Sequence, residues 1–400
     1  MTRRTTTSHV FFILITLVIA AGCKSVVTRQ DVRPRVLRDV PSQNLAYRLS
    51  PDTDPPVNID VEDLLAKHEL IANEFATNRQ NDALLRTVKS PDGSRVLAVY
   101  GSGDDPGATF RVDLFNASGQ FLRNLVPPDI SCFFPETVRW SPDGNYINFI
   151  ARKRVMPSPT PTPPPTVLPD PEPSLQPAPS VAPLFAPVES FTTEQIYIAD
   201  RDGNDLKPLT KREGLIYFYF AWAPDAHALV ALACKEEEWN DRERQSKTPA
   251  GRPRLIMPDG TERLLDDGLT EALPVWSPDA SKVATAFQTD IAIYDAATPK
   301  PTQARVGLRD QLINASVAYD QTAAKKSAAA SPSPSSSATP SPSPTASREP
   351  ASFNPIIRLE WPSPERLYFQ TAYVRLRPIE AFTFPRWHLL SLSAQAAILK

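Results

Sequence analysis

The chain is poor in the residues that most metal, phosphate and redox sites require. Its 400 residues include three cysteines, four histidines and only 13 glycines. No Gly-rich phosphate loop and no Gly-x-Ser-x-Gly nucleophile elbow occurs. His68, His227 and His388 show no ligand spacing, so no metal or other cofactor is expected. A net charge of −2 excludes the basic footprint of a nucleic-acid binder. Long apolar runs are absent too. The stretch from Val10 to Ala20 falls well short of the roughly twenty residues that cross a bilayer core.

That stretch follows Arg3 and Arg4 and ends at Ala20-Ala21-Gly22-Cys23. A basic start, a short apolar run and small residues before a cysteine form the pattern of an exported lipoprotein. The expectation is a signal peptide over 1–22, acylation of Cys23, and a chain that is soluble behind its anchor. Lys24, where Asp would be the alternative, resembles lipoproteins of two-membraned bacteria. The resemblance implies the outer membrane, facing the periplasm. Cys132 and Cys234 then remain, either as an exported disulfide or as two buried thiols.

What is abundant is repetition. Lys89-Ser90-Pro91-Asp92-Gly93 is followed by Trp140-Ser141-Pro142-Asp143-Gly144, Trp222-Ala223-Pro224-Asp225-Ala226 and Trp276-Ser277-Pro278-Asp279-Ala280. A worn copy stands at Trp361-Pro362-Ser363-Pro364-Glu365. Each phrase separates two apolar segments, so each reads as strand, turn, strand. Proline presets φ, aspartate bonds a backbone N–H two residues on, and glycine accepts positive φ. A second phrase of two further strands follows each first one, giving four strands per unit.

The copies begin at residues 89, 140, 222, 276 and 361, spacings of 51, 82, 54 and 85. The two long gaps hold low-complexity inserts, 157–187 with 13 prolines and a Ser/Pro-rich 322–350. Removing about thirty residues from each leaves a period near 50, the length of a propeller blade. The expected fold is an all-β propeller of four-stranded blades over 83–400. Six blades are favoured within a span of five to seven. Residues 23–82 form a tether with a helix over Val61–Thr77 and a strand from Asn44 that closes the last sheet. Ser50-Pro51-Asp52 could be a degenerate sixth turn.

W-S-P-D-G, together with Ile196-Tyr197-Ile198-Ala199-Asp200-Arg201-Asp202-Gly203 through Leu209-Thr210, resembles the WD40-like repeats of the TolB propeller. Similar repeats occur in prolyl-oligopeptidase-type enzymes, but no hydrolase domain is expected after the blades. Both inserts and the charged stretch Lys235–Lys247 project from one face, expected as a solvated fringe. Asp200, Asp202 and Asp205 are read as turn residues and not as calcium ligands.

The functional expectation is a lipid-anchored, non-enzymatic scaffold that binds a protein or envelope component. No catalytic residue is assigned. The alternatives are a propeller hydrolase or lyase on sugars or lactones, with its site in the central channel, and a small-ligand sensor.

Overall fold

Local turn chemistry sets the architecture. In a computed structural model, residues 36–57, 67–103, 109–153, 193–298, 300–330, 354–372 and 385–394 are described. Ser90 Oγ donates to Asp92 at 2.6 Å, Asp92 accepts the Ser94 N–H at 3.0 Å, and Arg95 N–H bonds Ser90 Oγ at 2.9 Å. Tyr146 N–H to Ser141 Oγ and Lys282 N–H to Ser277 Oγ repeat the last bond at 2.9 Å. The final position of the phrase is left-handed each time, at Gly93 (φ 70°), Gly144 (72°), Ala226 (61°) and Ala280 (58°). The two alanines therefore carry a conformation that suits glycine.

Among the described residues these turns join strands into five antiparallel blades, one fewer than favoured and within the expected span; three are separate four-stranded sheets, and the first two are bridged through Phe110 and Cys132 into one nine-stranded sheet. The chain opens with β1 (Leu45–Ser50) and α1 (Glu69–Asn78). Blade 1 contains β2 (Asp82–Lys89), β3 (Arg95–Ser102), β4 (Phe110–Asn116) and β5 (Phe121–Asn124). Blade 2 has a split inner strand, β6 (Ile130–Cys132) and β7 (Arg139–Trp140), then β8 (Tyr146–Lys153), β9 (Gln195–Asp200) and β10 (Lys207–Pro208). Blade 3 runs β11 (Leu215–Trp222), β12 (Leu229–Lys235), helix α2 (Glu236–Arg244), β13 (Arg252–Ile256) and β14 (Glu262–Leu264). Blade 4 is β15 (Val275–Trp276), β16 (Lys282–Phe287), β17 (Asp290–Asp295) and β18 (Gln303–Gly307), with α3 (Arg309–Ala330) after it. Blade 5 comprises β19 (Ile356–Ser363), β20 (Arg366–Ala372) and β21 (Pro385–Ala394), and β1 supplies its fourth strand, Leu45 opposite Ala394 through Ser50 opposite Leu389.

The core lies between blades. Leu97, Val99, Val112 and Leu114 of blade 1 meet Trp140, Ile147 and Phe149 of blade 2. Ala223, Val230 and Leu255 of blade 3 meet Trp276, Val283 and Tyr294 of blade 4. The indoles add a regular bond to the preceding blade: Trp140 Nε1 to Val88 O at 3.1 Å and Trp276 Nε1 to Ala221 O at 3.0 Å. The opposite face of blade 1, with Val96, Ala98 and Phe115, is covered by Ile71 and Phe75 of α1. A helix thus stands where a sixth blade would pack. Asp52 sits at the edge of blade 5 and begins no sixth unit.

Two further expectations are corrected. Within Lys235–Lys247, Glu236–Arg244 is helical rather than a loose fringe. Residues 322–330 of the Ser/Pro-rich segment continue α3. The insert 157–187, the part 331–350 and Val61, Leu64 and Leu65 of the expected helix lie outside the described residues. So does Cys23. Cys132 and Cys234 are free and buried. Among the described residues no helix is long and apolar enough to cross a membrane.

Candidate functional site

The innermost strands share a device that the repeats do not advertise. In β2, β11 and β19 the register slips by one residue, at Leu85, Phe218 and Ile357. All three lie five residues before the second position of the turn phrase, at Ser90, Ala223 and Pro362. A bulge re-aims the side chains that follow it. The next residues are Arg86, Tyr219 and Arg358, and two further on stand Val88, Ala221 and Glu360. The equivalents in β7 and β15 are Arg139 and Val275. All five of that second set are half-buried, consistent with a shared axial wall.

Charge and aromatic groups gather on this wall. Arg86 is buried and donates to Glu136 O and Val138 O of the next blade, at 3.4 and 3.2 Å. Arg358 pairs with Glu360 at 2.7 Å. The Tyr219 hydroxyl donates to Pro274 O of blade 4 at 3.4 Å. Burial pushes the Tyr219 phenol up. Arg139 of blade 2 opposes that shift and Glu360 of blade 5 adds to it, so charges from two other blades act on this ring. The Arg139 side chain makes no hydrogen bond or ion pair among the described residues; its Nε is buried without a partner, and its two terminal nitrogens are left open to solvent or a ligand.

Other titratable groups resolve into structure. His388 is fully buried beneath Phe369. Its Nδ1 accepts the Asp52 N–H at 3.3 Å, which leaves Nε2 as the donor to Thr371 Oγ1 at 2.9 Å. The proton therefore sits on the side facing Thr371, and the ring cannot act as its base. Asp295 is buried, which alone pushes its carboxyl up. Hydrogen bonds from Lys282, Thr302 and Ser42 overcome this and hold it down at about 2. Lys282 also bonds Val40 O at 2.7 Å, so the pair pins the N-terminal segment to blade 4. Burial raises Glu194 despite Arg152 at 2.7 Å, and its Oε2 has no partner.

The residues singled out by the repeats lie elsewhere. Ser90, Pro91, Asp92, Gly93, Asp143, Gly144, Asp225 and Asp279 form the turns at one end of the blades. Trp140, Trp222, Trp276 and Trp361 pack between blades. His227 sits in its turn against Asp225. Asp200 accepts N–H bonds from Asp202 and Asn204 at 2.9 and 2.7 Å, and Asp202 pairs with Arg95. Among the described residues no group of three or more His, Cys, Asp or Glu is gathered as a metal site. Sequence reasoning missed Arg139, Tyr219 and Glu360. Their one-dimensional signal is a fixed offset from the turn phrase, one residue before it for Arg139 and Glu360 and three for Tyr219.

No protein-family model matches the chain. No curated protein matches it either. Among solved structures it is similar to an oligogalacturonate lyase in complex with manganese (10% identity, 77% of this chain and 64% of that one, TM-score 0.35). It is similar to a prolyl endopeptidase studied for inter-domain dynamics in catalysis (10% identity, 96% and 46%, TM-score 0.37). Prolyl oligopeptidase B from Galerina marginata is similar as well (10% identity, 86% and 41%, TM-score 0.40). The chain spans less than two thirds of the length of each. All three are enzymes, and the expectation of a non-enzymatic scaffold is corrected on that finding. Likeness at this level concerns the fold, so any activity is argued from the residues.

Proposed function

We propose that this chain is a propeller enzyme, a hydrolase or lyase that acts in its central channel on an anionic sugar or a lactone. Arg139 carries the reading. A half-buried guanidinium with no ion pair among the described residues suits a substrate carboxylate, which it can grip through two parallel N–H bonds. Tyr219, raised by burial, stays protonated at neutral pH and serves as a proton donor toward a leaving or developing oxyanion. Glu360, held by Arg358, supplies the acceptor on another blade. A donor, an acceptor and an anion anchor on three strands meet the basic needs of elimination or glycoside cleavage.

The test is turnover of a panel of uronate oligosaccharides and sugar lactones by the purified full chain in detergent. Readouts are ultraviolet absorbance of an unsaturated product, new reducing ends and acid release. Arg139→Gln should raise KM for the anionic substrate at least tenfold, and Tyr219→Phe should lower kcat. Absence of turnover across the panel, or an Arg139→Gln variant equal to the parent, overturns the reading.

The chain is further read as a TolB-like lipoprotein held at Cys23 in the outer membrane and facing the periplasm. The Ala21-Gly22-Cys23 junction and the W-S-P-D-G repeats support this. Cys23→Ser should leave the membrane fraction after a salt wash. Retention would refute the anchor.

A further inference from the structure

Helix α2 lies outside the blades, yet it holds the strand that carries the channel phenol. Its first turn contains Glu236, Glu237 and Glu238 and its last turn Arg242 and Arg244, charges that complement the helix dipole. Glu238 fixes the helix twice. It accepts the Lys235 N–H at 2.9 Å, and it binds Arg252 of β13 with both oxygens at 2.7 Å. This places the Trp239 indole 5.6 Å from the Phe218 ring and 5.8 Å from Phe134. Phe218 is the extra residue of the β11 bulge, immediately before Tyr219. Gly251 also abuts this ring and leaves no slack: a Cβ there would meet the Phe218 ring at 2.8 Å and Ala233 N at 2.8 Å. The bulge residue is packed by both an indole and a glycine backbone.

We propose that Trp239 is a positioning residue for Tyr219, acting through Phe218 to hold the bulge that aims the phenol into the channel. This rests on the channel reading above for its consequence in turnover, but the link itself is independent of it. With the clamp removed, the bulge relaxes and water reaches the phenol. The groups facing Tyr219 are Arg139 on β7, Glu360 on β19 and the Pro274 carbonyl before β15.

The experiment titrates Tyr219 by phenolate absorbance, as the difference between each protein and its Tyr219→Phe counterpart. Trp239→Ala should raise the Tyr219 acid constant about tenfold by ending part of its desolvation. It should also lower kcat severalfold with KM little changed, and Trp239→Phe should restore most of both. Gly251→Ala, which crowds the Phe218 ring directly, should disturb the same titration with the indole intact. A folded Trp239→Ala protein whose Tyr219 titration matches the parent overturns the proposal. If Tyr219→Phe leaves turnover intact while Trp239→Ala still shifts the titration, the channel activity falls and the positioning link stands.

Discussion

Arg386 grips both carboxylate oxygens of Asp52, at 2.7 and 2.6 Å, across the seam where the first strand joins the last blade. Arg386 is buried and also donates to Ala315 O and Ser316 Oγ of α3, at 3.2 Å each. One guanidinium thus ties β1, β21 and α3 together. Asp52→Ala should destabilise the protein by about 1–3 kcal/mol, since it strips a charged hydrogen-bond partner from a buried group. Urea unfolding measures this. An unchanged midpoint would mean that the β1–β21 ladder holds the seam alone.

His388 makes the same seam sensitive to acid. Burial, helped by Arg386 and opposed by Asp52, lowers its pKa from 6.5 to about 4. The unfolded chain binds a proton between those values that the folded chain refuses. Stability from the neutral ring is therefore complete above about 6.5 and is lost as pH falls toward 4, by about 3 kcal/mol at the limit. Many carboxylates titrate over the same range, so the informative comparison is with His388→Gln. The difference in unfolding free energy between parent and variant should shrink between pH 7 and pH 4.5. A constant difference would show that the ring is solvated.

Trp276 fills the gap between blades 3 and 4 and bonds Ala221 O. Trp276→Ala should cost roughly 3–5 kcal/mol, as removal of a large buried aromatic does. Trp276→Phe should recover most of the packing and lose the indole bond. A thermal midpoint within a degree or two of the parent for the alanine variant would contradict the packing described.

Deleting 157–187 together with 331–350 should leave the propeller folded. Both lie in connections, one between β8 and β9 and the other between α3 and β19. Their proline content suits no central strand, and shortening a loop changes closure entropy little. Circular dichroism through a thermal melt should show the same cooperative β transition. Its loss would place these segments within the packed sheets.

The blades were readable because each turn is specified locally, by Ser, Pro, Asp and Gly within five residues. The seam partner, the segment from Asn44, was anticipated only as a strand free to close the ring. Blade number was not readable, because α1 and a sixth blade would bury the same face of β3 and β4, and sequence cannot choose between them. Helix α2 was passed over because EEEWNDRER has no apolar stripe. Its acidic start and basic end were the available signal. The channel set was illegible for a different reason. Arg139, Tyr219 and Glu360 stand on three blades, the outer two more than two hundred residues apart in sequence, and no local pattern encodes their electrostatic coupling.

The seam also sets an order of events during synthesis. β1 is made before its partner β21, which comes more than three hundred residues later. At roughly 5–20 residues per second, β1 waits about 15–70 seconds without its ladder. Through that interval it presents a bare strand edge, the kind that pairs with the wrong chain. Blades 1 to 4 can form as they emerge, but blade 5 stays incomplete until both ends of the chain are present. A lesion that removes β21 therefore strands β1 as surely as a lesion in β1 itself.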